Sequence, residues 1–433
     1  MNQASAVETV KVPLYERWRW QVFAITWLAY VGFYLTRKSF PIAKIEMGSP
    51  SGLGLDNATL GRIDTAFLTT YALGQFFWGV CGDRYGTRRV ILIGMFGSVI
   101  AALAMGRSSV VLLLVTFWAL QGVFQSSGWA PLSKNVGCFF SQRERGSIMG
   151  LWCTNYAVGA FIASWFAGLC GHYWGWRYAF YIPAVTLLVI LGLFWWLQRD
   201  RPEDVGLPSI EKYHGEKEVT LTPEEAQKQE GSWNVLREVL TNPMVLLLAA
   251  VYFFLKPARY AIVFWGPKYL NEKLGTNMMQ SGAISALFEL AGPVSVLVAG
   301  IMSDKLFQSR RMPISIICLM GLAGLLFAID KLPVSMAWFG GCLFLMGLLL
   351  YAPDSLVSGT APVDFGTKRG ASTAAGLING CGSVGAIIGG SAGIFEQRWG
   401  WDAVFTALAG SVLLAALLLL PKWNSLPETE RPK

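Results

Sequence analysis

Apolar residues dominate this chain in long, repeated blocks, and polar residues collect between them. Stretches long and apolar enough to span a bilayer run over about 20–41, 59–80, 90–106, 110–138, 146–170 and 177–198. A second set follows over about 244–270, 279–303, 313–330, 333–357, 370–395 and 402–421. The pattern predicts an all-α polytopic membrane protein with twelve transmembrane helices, arranged as two bundles of six. The organisation expected is a tail over 1–19, bundles over 20–198 and 244–421, a polar linker over 199–243, and a second tail over 422–433. Asn242 and Pro243 read as the cap and first-turn proline of the seventh helix.

Composition agrees with a membrane protein. Charged residues make up 14% of the chain, against roughly 25% in soluble domains, and the mean hydropathy is +0.45. A soluble chain exposing this much apolar surface would aggregate. Residues 1–19 are polar and lack the apolar core and small-residue cleavage site of a signal peptide, so the first helix is expected to be retained. The seven cysteines form no C-x-x-C pair, and His172 and His214 fall in or near loops. No disulfide framework, metal site, cofactor site or enzymatic constellation is indicated.

The net charge of +8 is a topology signal. Lys and Arg concentrate after the even-numbered stretches and at the termini, which places both termini and the linker in the cytoplasm of a plasma or bacterial inner membrane. Nucleic acid is excluded as a partner, and the lipid bilayer is the surrounding the chain requires. A monomer is expected.

The two halves repeat one another. "GVCGDRYGTRR" at 79–89 returns as "GIMSDKLFQSRR" at 300–311, "WAP" at 129–131 as "YAP" at 351–353, and "WGWRYAF" at 174–180 as "WGWDAVF" at 399–405. "RERG" ending at Gly146 echoes "TKRG" ending at Gly370. The offset stays near 222 positions, as the pair Asp83 and Asp304 illustrates.

Gly79, Asp83, Arg84, Gly86, Arg88 and Arg89 fill a pattern that resembles the loop 2–3 signature of the major facilitator superfamily. "LTRKSF", "SQRERG", "RDRPEDVGLP", the Arg259–Tyr260 pair and "FELAGPVSVLVAGIMSDK" narrow the resemblance to the organophosphate:phosphate antiporters, over nearly the whole chain. That group contains glycerol-phosphate and hexose-phosphate transporters. The resemblance implies exchange of an organic phosphate ester for inorganic phosphate by alternating access. A membrane-bound phosphate-ester sensor of the same fold, or a carrier of another organic anion, are the competing readings.

Arg37 in the first helix and Arg259 in the seventh occupy equivalent places in the repeat. A charge at membrane depth is costly, so a symmetric pair calls for a function. Guanidinium forks match phosphate oxygens, and the family's arginines at the matching positions bind the phosphoryl group. Each arginine could instead snorkel to the interface from a helix end.

Lys38, Tyr34 and Tyr30 follow on the first helix, with Tyr260 beside Arg259. Lys134, Lys256, Glu289, Asp354, Asn155, Tyr156, Gln75 and Asn379 complete a plausible polar lining. Burial disfavours an unpaired Asp354, so a cationic partner is expected, Lys134 first and Lys256 second, the alternative being an acid solvated at the cytoplasmic end of its helix. Two positions depart from the family, which often carries His at Tyr156 and Lys at Gln75; this leaves the organic part of the ligand open.

Asp83, Arg84, Arg88, Arg89, Arg143, Arg145, Asp304, Lys305, Arg310 and Arg311 are expected to bridge helices and gate rather than touch substrate. Ser141 and Glu144 fit a capping box. Gly376, Gly380, Gly385, Gly389 and Gly393 offer a close-packing stripe along the eleventh helix, not a nucleotide cradle.

Overall fold

The computed structural model describes residues 3–140, 145–213, 237, 239–307, 310–331, 333, 335–360 and 371–425. Their helices group into twelve spans. The first six are α1 (Gln3–Arg37, then Ser39–Met47), α2 (Asn57–Tyr85), α3 (Thr87–Arg107), α4 (Val111–Gln125, then Trp129–Phe139), α5 (Arg145–Trp152, then Thr154–Trp174) and α6 (Tyr178–Leu197). The second six are α7 (Pro243–Leu274), α8 (Met278–Lys305), α9 (Arg311–Ala328), α10 (Met336–Ser355, ending in a wide turn Leu356–Thr360), α11 (Ala371–Gly390) and α12. The last is the later part of Ala392–Leu419, whose earlier part extends α11 up to a backbone break at Gly400.

Nine segments of the described chain are long and apolar enough to cross a membrane by composition alone. The eleventh span falls short of that measure in length, as the shorter apolar helix Gly376–Gly390, and the first and second lie outside it, yet all three pack as full members of the bundle.

Within the first half α2 packs on α4, α3 on α6 and α4, and α1 on α5 and α6. In the second half α7 packs on α11 and α12, α8 on α10, and α9 on α12. The halves meet chiefly where α5 lies against α8 and α2 against α11. Leu73, Phe77, Leu112, Val189, Trp196, Leu297 and Trp338 stand exposed on the outside, as side chains facing lipid should.

The sequence repeat is legible in the backbone. Asp56 caps α2 by accepting from the Thr59 amide at 2.8 Å, and Asn277 caps α8 by accepting from the Gln280 amide at 2.9 Å. Hydrogen bonds from Thr59 also hold the Asp56 carboxyl below its usual range. Gly175 and Gly400 end the fifth and eleventh spans with φ of 87° and 78°, a backbone region that favours glycine.

The same two-fold relation governs the contact between halves. A Cβ on Gly282 of α8 would stand 2.6 Å from the Ser164 carbonyl oxygen and 3.4 Å from Gly168 Cα of α5. A Cβ on Gly61 of α2 would stand 3.1 Å from the Ile394 amide nitrogen and 3.6 Å from the Gly393 carbonyl carbon. Gly61 matches Gly282 in the repeat, and Gly168 matches Gly393. Four equivalent glycines therefore let the two bundles approach backbone to backbone. Along α11, Gly385 and Gly389 lie against the Phe253 and Pro257 carbonyls of α7, while Gly376 faces open space.

The first span is broken rather than continuous to residue 41. A proline ring clashes with the carbonyl four residues earlier. Pro41 therefore disrupts the helix at Arg37, and a new helix starts at Ser39 with its proline in the tolerated first turn. Arg37 and Lys38 sit at that break, inside the bundle.

Candidate functional site

Arg37 is 7% exposed and Lys38 only 3%, so neither snorkels to an interface. Arg37 donates through Nε to Gln125 Oε1 of α4 at 2.7 Å. Gln125 is itself fixed by donating to the Phe33 carbonyl and Thr36 Oγ1. The guanidinium lies 4.8 Å from the ring centres of both Tyr34 and Tyr71, and its Nη2 is buried without a hydrogen-bond acceptor. Aromatic faces stabilise the charge but leave its hydrogen-bonding capacity unspent.

Lys38 points elsewhere. Its ammonium donates to Glu289 Oε1 of α8 at 2.7 Å, joining the two halves. The other Glu289 oxygen accepts from the Tyr351 hydroxyl of α10. The Tyr351 ring centre lies 4.9 Å from the Arg259 guanidinium, and Tyr156 of α5 stacks on that ring at 6.2 Å. Lys38, Glu289, Tyr351 and Arg259 thus form one chain of contacts between the halves, and Arg37 adjoins it only as the residue before Lys38.

Arg259 differs from Arg37 in its partner. Its Nη1 donates to Asp354 Oδ2 at 2.7 Å, and Lys256 Nζ lies 3.5 Å from Asp354 Oδ1. Lys256 also lies over the Tyr252 ring at 4.5 Å and the Tyr260 ring at 5.6 Å. Asp354 therefore takes Arg259 as its main partner and Lys256 as its second. The expected pairing with Lys134 is not formed. Lys134 is exposed and lines a cavity of about 600 Å³ with Ser133, Arg201 and Glu203, under the loop that follows α6. The α4 helix is broken between Gln125 and Trp129. Lys134, after that break, is exposed, whereas Asp354 is buried beside Arg259 and Lys256 of α7.

Four cations, Arg37, Lys38, Lys256 and Arg259, stand against two carboxylates, Glu289 and Asp354, so the centre carries an excess of two positive charges. Burial makes each uncompensated charge expensive. An anionic group bearing two charges with acceptor oxygens would offset both.

Other sequence candidates take varied places. Tyr30 packs among Tyr34, Trp129 and Trp152 in the core of the first bundle. Asn155 is fully buried with neither side-chain atom hydrogen-bonded, on the α5 face that includes Gly159, which abuts Val31 and Tyr34 of α1. Gln75 is half-buried on α2 and Asn379 is exposed on α11.

The signature loop is held from an unexpected direction. Asp200, after α6, accepts from the Arg88 amide at 2.8 Å and lies against Gly86, and Arg88 donates to the Trp195 carbonyl. Arg84 and Arg89 are exposed. In the second half Arg310 donates to Asn424 at 3.2 Å and Arg311 to Ser303 at 3.1 Å, while Lys305 is exposed. These contacts stay within one half. The side chains of Asp83, Arg145 and Asp304, and Ser141, Arg143 and Glu144 entirely, lie outside what is described, as does the surrounding of Gly79.

Sequence reasoning missed Gln125, Tyr71 and Tyr351, which read as ordinary interior residues until their neighbours are known. It also missed the Lys44–Asp64 ion pair, whose side chains are both 0% exposed. Lys44 donates as well to the Phe264 carbonyl of α7 at 3.0 Å and lies 3.9 Å from the Trp265 ring. Nearby, Asn57 donates to Glu396 at 2.6 Å and to Glu272 at 3.1 Å, and the Ala58 amide donates to Gln397 at 2.6 Å. The Lys44–Asp64 pair lies within the first half, and the other contacts tie that half to the second at the end of the molecule that carries the loops after α1, α7 and α11. A charge at position 64, inside an apolar stretch, was the available signal.

A sequence profile of the Major Facilitator Superfamily matches residues 22–390. The chain is 31% identical to a probable hexose phosphate transport protein of Chlamydia trachomatis, over 100% of this chain and 96% of that one. It is 32% identical to the membrane sensor protein UhpC of Escherichia coli, over 95% and 93% of the two chains. Among solved structures, a bacterial homolog to the human lysosomal transporter Spinster superposes with a TM-score of 0.73 at 14% identity, covering 94% of this chain and 95% of the other. With its twelve spans, internal two-fold and central cationic site, the chain belongs to the major facilitator superfamily.

Proposed function

We propose that this protein is a secondary transporter that exchanges a phosphorylated organic anion, of the hexose-phosphate type, for inorganic phosphate. The observation that carries the reading is the pair of repeat-related arginines, Arg37 buried and Arg259 partly buried, within a centre holding two excess positive charges, with an unused donor on Arg37. The relatives named as a hexose phosphate transport protein and as a sensor support the same ligand class.

The basic loops put both termini in the cytoplasm of a plasma or bacterial inner membrane, and a monomer has everything the cycle needs. In that orientation the ties among Lys44, Phe264, Asn57 and Glu396 hold the outer face closed. Occluding the centre without ligand strips water from uncompensated cations, whereas a bound dianion offsets them. Obligatory exchange follows: each half-cycle needs a phosphate-bearing passenger. Neutralisation also reduces the work of moving charge through the membrane potential, about 2.3 kcal/mol per charge per 100 mV.

A sensor reading is favoured by one observation, the identity with a membrane sensor protein across 95% of this chain. Proteoliposomes loaded with inorganic phosphate and challenged with glucose 6-phosphate separate the two. Stoichiometric counterflow supports the exchanger, and saturable binding without flux supports the sensor.

A further inference from the structure

The repeat makes Arg37 and Arg259 equivalent, but their partners are not. On the first-half side the partner is Gln125, a neutral amide. On the second-half side it is Asp354, a carboxylate. The repeat counterpart of Asp354 is the buried Leu132, and that of Gln125 is Gly347, where a Cβ would stand 2.3 Å from the Phe288 carbonyl oxygen. Neither half could host the other's arrangement without repacking. One arginine is left ready for an incoming anion, and the other is already closed by an anion of the chain itself.

We propose that Asp354 is a tethered competitor that selects for dianionic head groups: it occupies Arg259 and Lys256 in the ligand-free state and yields them only to a ligand carrying more charge than a carboxylate. The inference rests on the phosphate-ester reading above and goes beyond it to the basis of selection. Three features of the geometry support it. Asp354 is nine-tenths buried, so little water is available to take over its pairing when a ligand arrives. It touches both second-half cations, at 2.7 Å and 3.5 Å, so a ligand that takes the Nη1 donor of Arg259 must displace the carboxylate. Finally, Lys38 is bound to Glu289, so it offers no free alternative.

The selection follows from Coulomb's law. A monoanion that replaces Asp354 at Arg259 exchanges one unit charge for another and gains nothing while losing an optimised hydrogen bond. A dianion bridging Arg37 and Arg259 keeps one charge for each cation, and the interaction is strengthened by the low local dielectric. Phosphate monoesters are dianions above their second pKa of about 6. Sulfate monoesters of the same shape remain monoanions, so a phosphate and a sulfate ester of one sugar differ mainly in the property that Asp354 reads.

The test measures equilibrium binding of glucose 6-phosphate and glucose 6-sulfate to detergent-purified full-length protein. Wild type should prefer the phosphate ester, and Asp354→Asn should bind both ligands more tightly while the preference shrinks by about tenfold. Unchanged preference in a folded Asp354→Asn overturns the proposal. Loss of both ligands in that variant also overturns it, because Asp354 would then be a support of the site rather than a competitor. If Asp354→Asn does not fold, Lys256→Met/Asp354→Asn keeps the original charge excess. It should bind the phosphate ester near the wild-type level with the preference still reduced, and retained preference overturns the proposal. Failure of wild type to bind glucose 6-phosphate at all contradicts the phosphate-ester reading itself, and so is distinguishable from failure of this one.

Discussion

Lys38 of the first helix and Glu289 of the eighth form a 2.7 Å ion pair across the interface between the two bundles, with both side chains 4% exposed. Because Glu289 also accepts from Tyr351, whose ring lies against Arg259, this bond links the helix break that carries Arg37 and Lys38 to the second arginine. A ligand that draws the arginines together must either keep this pair or replace it during the rocking of the halves.

Removing one partner of a buried pair strands a charge. Glu289→Gln leaves Lys38 without its carboxylate and should lower stability by about 3–5 kcal/mol, with exchange reduced in proportion to unpaired cation. Lys38→Met/Glu289→Leu should recover most of the melting temperature but little transport. Thermal unfolding of the detergent-purified variants reads the first effect, and equal losses in single and double variants would argue against coupling.

Gly282 meets Ser164 and Gly168 so closely that a side chain cannot be accommodated without moving the halves apart. Gly282→Leu should therefore disfavour the conformation described here, in which the ends carrying Asn57 and Glu396 are joined. Labelling of a cysteine introduced at Asn57 by a membrane-impermeant maleimide should rise, because the outer face spends more time open. The repeat predicts the same direction for Gly61→Leu, since Gly61 is the symmetry counterpart. Opposite directions for the two variants would disprove a shared hinge face.

Asp200 anchors the loop between the second and third helices through the Arg88 amide. Losing such a cap-type bond costs about 1 kcal/mol. Asp200→Ala should slow exchange with phosphate affinity unchanged to within a few-fold, because its contacts are remote from Arg37 and Arg259. A large fall in equilibrium affinity would place this loop in the binding path.

The fold was legible from hydrophobic runs because a bilayer leaves a chain few options: each span must satisfy its own backbone and turn an apolar face outward. The repeat offset likewise located Arg259 from Arg37. The pairings were less legible. Asp354 was paired with Lys134 by repeat position, yet the kink after Gln125 displaces Lys134, and the residue three places before Arg259 on the same helix is nearer. The break at Arg37 was written in Pro41, but a proline four residues past a charge tells where the helix yields only once the depth of that charge is known. Gln125 and Tyr351 could not be singled out, since an amide or a phenol in an apolar helix becomes a site residue only through neighbours supplied by other spans.

The central claim is that Arg37 and Arg259 together hold the phosphoryl group. Self-exchange of radiolabelled inorganic phosphate in proteoliposomes tests it most directly, comparing wild type with Arg37→Lys and Arg259→Lys. Lysine keeps the charge but removes the planar fork that binds two oxygens at once, so each variant should fall to about one hundredth of the wild-type rate or less while remaining folded and inserted. Near-normal self-exchange in either variant would remove that arginine from the phosphate site, and near-normal self-exchange in both would contradict the account.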